Sequence, residues 1–318
     1  IYSGNGSTQS LTGIGFQPDW VWIKNRNGTN PHGLWDSTRG AGKLLKSSAS
    51  EAETGNSGDL MGSFDSDGFQ VNRNYLSFTA YDNTNWGAGT YVGWTWKANS
   101  GTTSSNTDGS ITSTVQANQE TGFSIVQWSG TGAVNTVGHG LSAAPQLILI
   151  KSLSQAGDWQ VYAEPIGNGN KLVLNATGGS SSTTRFDSTS PTSSVFTLND
   201  SGLGTGLIAY CFHSISGYSK IGSYTGNGNT GQSITGLGFS PNFLLIKITD
   251  ATDNWVILDS IRGGTNILAP NSNAQEFSES GVNITFDSDG FSLSGTGGGQ
   301  GQVNGNGNSY IYMAFKAG

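Results

Sequence analysis

The sequence predicts an all-β protein made of three tandem related β-sandwich units of jelly-roll type. Three observations carry that prediction. A single pattern recurs three times along the chain. The apolar runs are short, aromatic and β-branched, bounded by Gly, Pro, Asn and Asp rather than by helix caps. Charged residues make up only 11% of the 318 residues while 49 are glycine, against about 25% charged in ordinary soluble domains, a balance that suits turn-rich β structure.

The first copy opens on Tyr2-Ser3-Gly4-Asn5-Gly6, continues with Gly13-Ile14-Gly15-Phe16-Gln17-Pro18-Asp19, and enters the apolar run Trp20-Val21-Trp22-Ile23-Lys24. The third repeats it as Tyr224-Thr225-Gly226-Asn227-Gly228, Gly236-Leu237-Gly238-Phe239-Ser240-Pro241-Asn242 and Phe243-Leu244-Leu245-Ile246-Lys247. The middle copy diverges further, with Trp128-Ser129-Gly130-Thr131-Gly132, Gly138-His139-Gly140-Leu141 and Leu147-Ile148-Leu149-Ile150-Lys151 after Pro145. Each copy ends on a second apolar strand, at Tyr91–Lys97, Leu207–His213 and Tyr310–Lys316.

In the Pro-initiated strand both faces are apolar, with Trp20 and Trp22 on one side and Val21 and Ile23 on the other, so it needs cover on both. A second sheet on one face and a loop or neighbouring unit on the other supplies it. The expected boundaries are 1–98 for the first sandwich, 99–122 for a polar linker with an extra strand near Ile111 to Val115, 123–215 for the second and 216–318 for the third. No amphipathic helix is expected.

A formal net charge of −7 offers no footprint for phosphate backbones or anionic lipid, so nucleic acid is excluded as a partner. No run approaches the length of an apolar membrane span, and Ile1 to Ser10 lack the regions of a signal peptide. The pattern is already under way at Tyr2, which reads as a fragment of a longer chain. With one cysteine, Cys211, no intrachain disulfide can form and packing alone must hold the fold.

The unit ending Trp96-Lys97-Ala98, the connector Thr107-Asp108-Gly109-Ser110-Ile111, the segment Val137-Gly138-His139-Gly140-Leu141 and the closing Tyr310-Ile311-Tyr312-Met313-Ala314-Phe315 together carry a likeness. They resemble a three-repeat region at the C-terminal end of structural proteins of tailed bacteriophages, many of them marine. The resemblance spans essentially the whole chain in unit order. It implies a tail-fibre or other virion-surface component, located on the virion after assembly in the host cytoplasm, with other virion proteins as partners. It brings no catalytic motif.

Among candidate sites, Phe64-Asp65-Ser66-Asp67-Gly68-Phe69 recurs as Phe286-Asp287-Ser288-Asp289-Gly290-Phe291. Asp65, Asp67, Asp287 and Asp289 could offer oxygens to calcium, yet Asp-Gly between apolar residues is a hairpin signal in its own right. The turn reading is preferred, and no cofactor is expected. Asp36…Arg39 and Asp259…Arg262 recur as well, and read as surface ion pairs fixing a turn. His32, His139 and His213 fall at non-equivalent positions without zinc-ligand spacing. Cys211 aligns with Thr95 and Ala314, a small inert position.

Nine tryptophans in a weakly charged chain suggest stacking against neutral sugars. Trp20, Trp22, Trp94, Trp96 and Trp128 lie in recurring strands and belong to the core. Trp86, in the polar segment Asp82–Gly87 that reads as an insertion confined to the first copy, is the expected exposed ring, with Tyr75, Phe78 and Tyr81 as companions in a ligand-binding loop.

The favoured function is a non-enzymatic virion adhesive or receptor-binding component taking a host-surface glycan. The alternatives are an architectural fibre-shaft or capsid decoration protein and, further off, a polysaccharide-degrading enzyme, which needs two carboxylates about 5 to 10 Å apart. Asp36, Glu164 and Asp259 recur one per unit and nothing in the sequence brings two together. Exposed strand edges point to a homo-oligomer, a trimer by preference, though three units in one chain also allow a pseudo-threefold monomer.

Overall fold

The computed structural model describes residues 1–55, 60–72, 84–297 and 299–317. Each Pro-initiated run becomes the central strand of an antiparallel sheet, at Trp20–Asn25, Leu147–Ser152 and Phe243–Ile248, and every residue of all three is buried. On one side lies a closing strand, Thr90–Trp96, Gly206–Phe212 or Ser309–Phe315. On the other lies a return strand, Gly33–Asp36, Gln160–Ala163 or Val256–Asp259. An opening strand flanks each closing strand, at Tyr2–Ser3, Phe123–Ser129 and Ser219–Thr225.

One strand order therefore serves all three large sheets. The second is widened by Ser181–Ser182 at one edge and by Ser113–Asn118 and Ser104–Asn106 at the other. The polar stretch after Ala98 is tied down before it reaches those strands: the buried Asp19 carboxylate accepts the amides of Ala98, Ser100 and Gly101 at 2.7, 2.9 and 2.7 Å. Helix is limited, among the described residues, to the single turns Glu164–Ile166 and Gly301–Asn304, and no helix is long and apolar enough to cross a membrane.

The two apolar faces of each central strand go to different places. Val21 and Ile23, Ile148 and Ile150, Leu244 and Ile246 pack in three separate clusters beneath small sheets. Those sheets are Gln9–Thr12 with Gly68–Val71 and Met61–Asp65, Val134–Gly138 with Val195–Asn199, and Gln232–Thr235 with Gly290–Leu293 and Ile284–Asp287. Each pairing is sandwich-like. The opposite faces, from Trp20, Trp22, Leu147, Leu149, Phe243 and Leu245, meet in one core shared by all three sheets.

At its centre three register-equivalent rings touch: Trp96 to Phe212 at 6.5 Å, Trp96 to Phe315 at 5.9 Å and Phe212 to Phe315 at 6.0 Å. The large sheets thus surround a local threefold axis formed inside a single chain. Full burial of an aromatic side chain contributes about 1.5–3 kcal/mol, so the shared core is a principal source of stability.

A ring of polar contacts closes around the axis. Lys24, Lys151 and Lys247 are the penultimate residues of the central strands, and all three are buried. The Lys24 ammonium donates to the carbonyls of Asn25 and Gly28 at 2.8 and 2.9 Å and to Asn273, beyond the third sheet's return strand, at 3.3 Å. Lys151 donates to Ser152, Gly157 and, across the seam to the first unit, Ser50 at 3.3 Å. Lys247 donates to Asp253 and, in the second unit, Thr177 at 2.8 Å. Burial pushes the three down to about 7, 8 and 8.

Candidate functional site

The recurring Asp-Ser-Asp-Gly segments turn the hairpins of the small sheets. Gly68 and Gly290 sit at positive φ, and a Cβ on either would come within about 2 Å of a backbone carbonyl oxygen, Leu11 or Ile234. Glycine is therefore obligatory there. Both oxygens of Asp67 accept backbone amides, from Gly13 at 2.9 Å and Gly15 at 2.6 Å, which hold its carboxyl below the usual range. Asp289 does the same for Gly236 and Gly238 at 3.0 and 2.7 Å. Asp65 accepts the Ser63 hydroxyl, and Asp287 that of Ser292. These carboxylates clamp a Gly-x-Gly loop to its hairpin.

The Asp–Arg pairs are not on the surface. The side chains of Asp36, Arg39 and Arg262 are at most 1% exposed and that of Asp259 is 6%. The reason is their position at the end of the return strands, where one sheet meets the next. Arg39 Nε lies 2.5 Å from Asp36, and its Nη1 lies 3.1 Å from Glu53. Tyr210 of the second sheet donates its hydroxyl to Asp36 at 2.7 Å. At the seam between the third and first sheets, Arg262 bonds Asp259 at 2.6 Å and Glu276 at 2.9 Å, while Trp94 donates Nε1 to Asp259 at 3.1 Å. Arg26 completes the seam with two bonds to Glu276 at 2.9 and 2.7 Å.

At the third seam the corresponding places are apolar. Strand register aligns Asp36 and Asp259 with Ala163, not Glu164, and Trp94 and Tyr210 with Met313. Ile166 stands where the arginines do, three residues on. Glu164 is exposed and bonds Gln146 at 2.6 Å. So the acid expected once per unit occurs at two seams only, each time beside a second acid, Glu53 or Glu276, across a guanidinium.

His32 is buried and its Nδ1 accepts from Trp22 Nε1 at 2.9 Å. Burial, with Lys24 and Arg262 nearby, holds it well below the ordinary histidine range, although the Ala269 carbonyl pulls the other way. It occupies the place of Trp159 and Trp255, which reach across their seams to the carbonyls of Lys46 at 2.8 Å and Val173 at 3.0 Å. Cys211 is buried, which pushes its thiol up. Among the described residues no group of three or more His, Cys, Asp or Glu is placed to hold a metal.

Eight of the nine tryptophans are buried and Trp86 is 40% exposed. Thr84, Asn85 and Trp86 are tied by hydrogen bonds to the rest of the unit. Asn85 receives the Asn5 amide at 2.8 Å and its carbonyl receives Gly6 at 3.1 Å. Trp86 N donates to the Tyr91 hydroxyl at 2.8 Å, and its carbonyl accepts Gly89 at 2.8 Å. The Tyr2 hydroxyl donates to Thr84 at 2.7 Å, and Thr84 reaches the carbonyls of Leu60 and Asn72. Trp86, Gly87 and Ala88 stand out beside exposed Asn5 and Ser7. Tyr75, Phe78 and Tyr81 lie outside the described residues.

The frame is not confined to the first unit. In the third, Asn304 receives the Asn227 amide at 2.9 Å, Gly305 N donates to Tyr310 at 2.7 Å, and Tyr224 donates to the Val303 carbonyl at 2.7 Å. Gly305 therefore stands where Trp86 does. Over the described residues the expected insertion is thereby corrected: Thr84–Trp86 have counterparts in Val303, Asn304 and Gly305, and what the third unit lacks there is the indole.

Residues 1–317 match the model of one family, Domain of unknown function (DUF7483). The chain belongs to that family. No curated protein and no solved structure matches it. Two features of this DUF7483 chain escaped the sequence reading. The partnership of Glu53 with Asp36, and of Glu276 with Asp259, links residues whose spacing carries no local signal. The lysine ring is visible as a recurrent Lys near the end of each central strand, but its cross-seam acceptors lie in irregular loops.

Proposed function

We propose that this protein is a non-enzymatic phage virion component of the tail-fibre or surface-adhesive kind, and that it takes a neutral host-surface glycan on Trp86. The observation that carries the reading is an exposed indole on a hydrogen-bonded loop whose counterpart in the third unit presents only Gly305. An aromatic face held rigidly beside amide and hydroxyl groups is suited to stacking on a sugar ring at low entropic cost. The bacteriophage resemblance supports the virion setting. The acids best placed for hydrolysis are bound to Arg39 and Arg262, which speaks against general acid chemistry.

A glycan-binding screen on the whole chain tests it. Trp86→Ala is expected to abolish binding while leaving the thermal midpoint within about 1 °C, since exposed substitutions cost about 0.5 kcal/mol or less. Unchanged binding would remove Trp86 from the site.

The architectural reading, a shaft or decoration protein, draws on the free outer edges of the sheets, including Ser104–Asn106 and Ser181–Ser182. The seams that separate copies would need to close a threefold ring are filled within one chain, so a homotrimer would form through those outer edges. Particle imaging separates the readings: the Trp86 loop facing solvent supports adhesion, and its burial against a neighbour supports architecture.

A further inference from the structure

The second sandwich differs from the other two at one end. Leu172, opposite Val161, corresponds to Leu45 and Leu268, opposite Leu34 and Ile257. The residue before it is Lys171 in the second sheet but Leu44 and Ile267 in the others, both buried beneath their small sheets. Gln160 likewise takes the place of Gly33 and Val256. Beside the small sheet, Asn199 N donates to the Arg185 carbonyl at 2.7 Å, as Asn72 N does to Leu60 and Ser294 N to Asn283. Lysine, arginine and an amide thus occupy the places that the first unit fills with Leu44, Leu60 and Gly33.

The backbone departs at the same point. In the first and third units the chain continues from Leu60 or Asn283 into the third strand of the small sheet, Met61–Asp65 or Ile284–Asp287, whereas the second unit's small sheet has two strands. After Phe186 the chain turns away through Asp187 and Ser188, at φ 47° and 48°, with Thr189 N bonded to the Phe186 carbonyl at 2.9 Å. Two successive non-glycine residues in the left-handed region store strain of the kind that collects at functional sites. Around the turn and on the neighbouring edge strand, Ser181, Ser182, Thr184, Ser188, Thr189 and Ser190 are exposed.

Both cations lack a counter-ion. Lys171 Nζ donates to Gln160 Oε1 at 2.9 Å, and Arg185 uses only Nη1, on the carbonyls of Asn199 and Ser201. Among the described residues neither forms an ion pair, and Nε and Nη2 of Arg185 are unbonded. Arg26 uses that same guanidinium edge to hold both oxygens of Glu276. Burial and the Arg185 charge hold Lys171 below the usual lysine range, against the pull of Asp158, so the two cations act on each other. Asp158 accepts the Asn175 side-chain amide at 2.8 Å, and Asp200 spends both oxygens on the amides of Thr131 and Ala133 at 2.9 and 2.8 Å.

We propose that Lys171 and Arg185 bind the carboxylate of an acidic sugar, a uronic acid residue, with its two oxygens on Nε and Nη2 of Arg185 and the Lys171 ammonium beside one of them. A planar carboxylate matches the guanidinium edge in two parallel bonds. The exposed hydroxyls that surround the pair suit a polyhydroxylated ring. This site draws nothing from Trp86, so either assignment can fail alone.

The test titrates the whole chain with an oligoglucuronate, a neutral glucose oligosaccharide of the same length and inorganic phosphate, followed by calorimetry and by the NMR signal of the Arg185 Nε–H group. The oligoglucuronate is expected to shift that signal and the neutral oligosaccharide to leave it in place. Arg185→Lys, which keeps the charge but loses the two-bond edge, and Lys171→Leu, which copies Leu44, are each expected to weaken binding by about tenfold or more, the loss of a charge-assisted hydrogen bond. Lys171→Leu is expected to melt no lower than the parent chain, which separates lost binding from lost folding. If that variant does not fold, Arg185→Lys carries the test. No shift with the oligoglucuronate, an equal shift with the neutral sugar, or unchanged affinity in Arg185→Lys overturns the proposal. Tighter binding of phosphate than of oligoglucuronate also overturns it, and would assign the pair to phosphate groups.

Discussion

Asp36, Arg39 and Tyr210 form a buried polar set at one seam, and Ala163, Ile166 and Met313 hold the corresponding places at another. The same geometry is thus filled at two seams by charge and at the third by hydrocarbon, which bears on how each responds to substitution. Arg39→Leu leaves the Asp36 carboxylate buried with the Tyr210 hydroxyl and the backbone amide of residue 39. A broken buried pair costs about 3–5 kcal/mol, to be read from urea denaturation. The triple variant Asp36→Ala, Arg39→Ile, Tyr210→Met copies the apolar seam and is expected to recover most of that loss, because apolar replacement of a whole buried ion set is often neutral. Failure to recover would mean that the residue Glu53 left behind dominates. The sequence displayed the Asp–Arg spacing, but not its burial, since spacing reports neighbours along the chain and not the sheet that closes over them.

At the level of the element, the central strands carry, one residue before their ends, lysines whose ammonium groups join their own hairpin to the neighbouring unit. Their folded values near 7 and 8 lie below the ordinary 10.5. Between those limits the unfolded chain binds more protons, so stability rises with pH across that window. The urea midpoint is expected to increase from pH 7.5 to 9.5, and Lys247→Met, which removes one of the three groups, to make the rise shallower. That variant also removes the donor to the Asp253 carbonyl, whereas the Thr177 carbonyl keeps the Asp253 amide. His32 acts on the acid side. Its folded value is held below 6.5, so the unfolded chain takes a proton that the folded chain refuses, and stability falls as pH drops through 6.5. His32→Gln should flatten that fall.

For the whole molecule, the shared core makes the three sheets interdependent. Trp96, Phe212 and Phe315 touch one another across the axis, so no unit can leave without exposing the inner faces of the other two. Calorimetry is expected to show one transition whose van't Hoff and calorimetric enthalpies agree. Trp96→Ala should cost about 3–5 kcal/mol and lower amide protection in all three sheets together. Separate melting of the third unit would refute that coupling.

The sequence by itself determined the all-β character, the Pro-initiated strands buried on both faces, the Asp-Gly hairpins and the exposure of Trp86, because each is written in a period of two or in local turn chemistry. Only the tertiary structure decided where the second face of each central strand goes, which acids meet across Arg39 and Arg262, and that Gly305 stands in Trp86's place. Those outcomes depend on which sheet faces which around the axis. Pairing across a seam leaves no periodic trace in either partner, so it had to be seen in space.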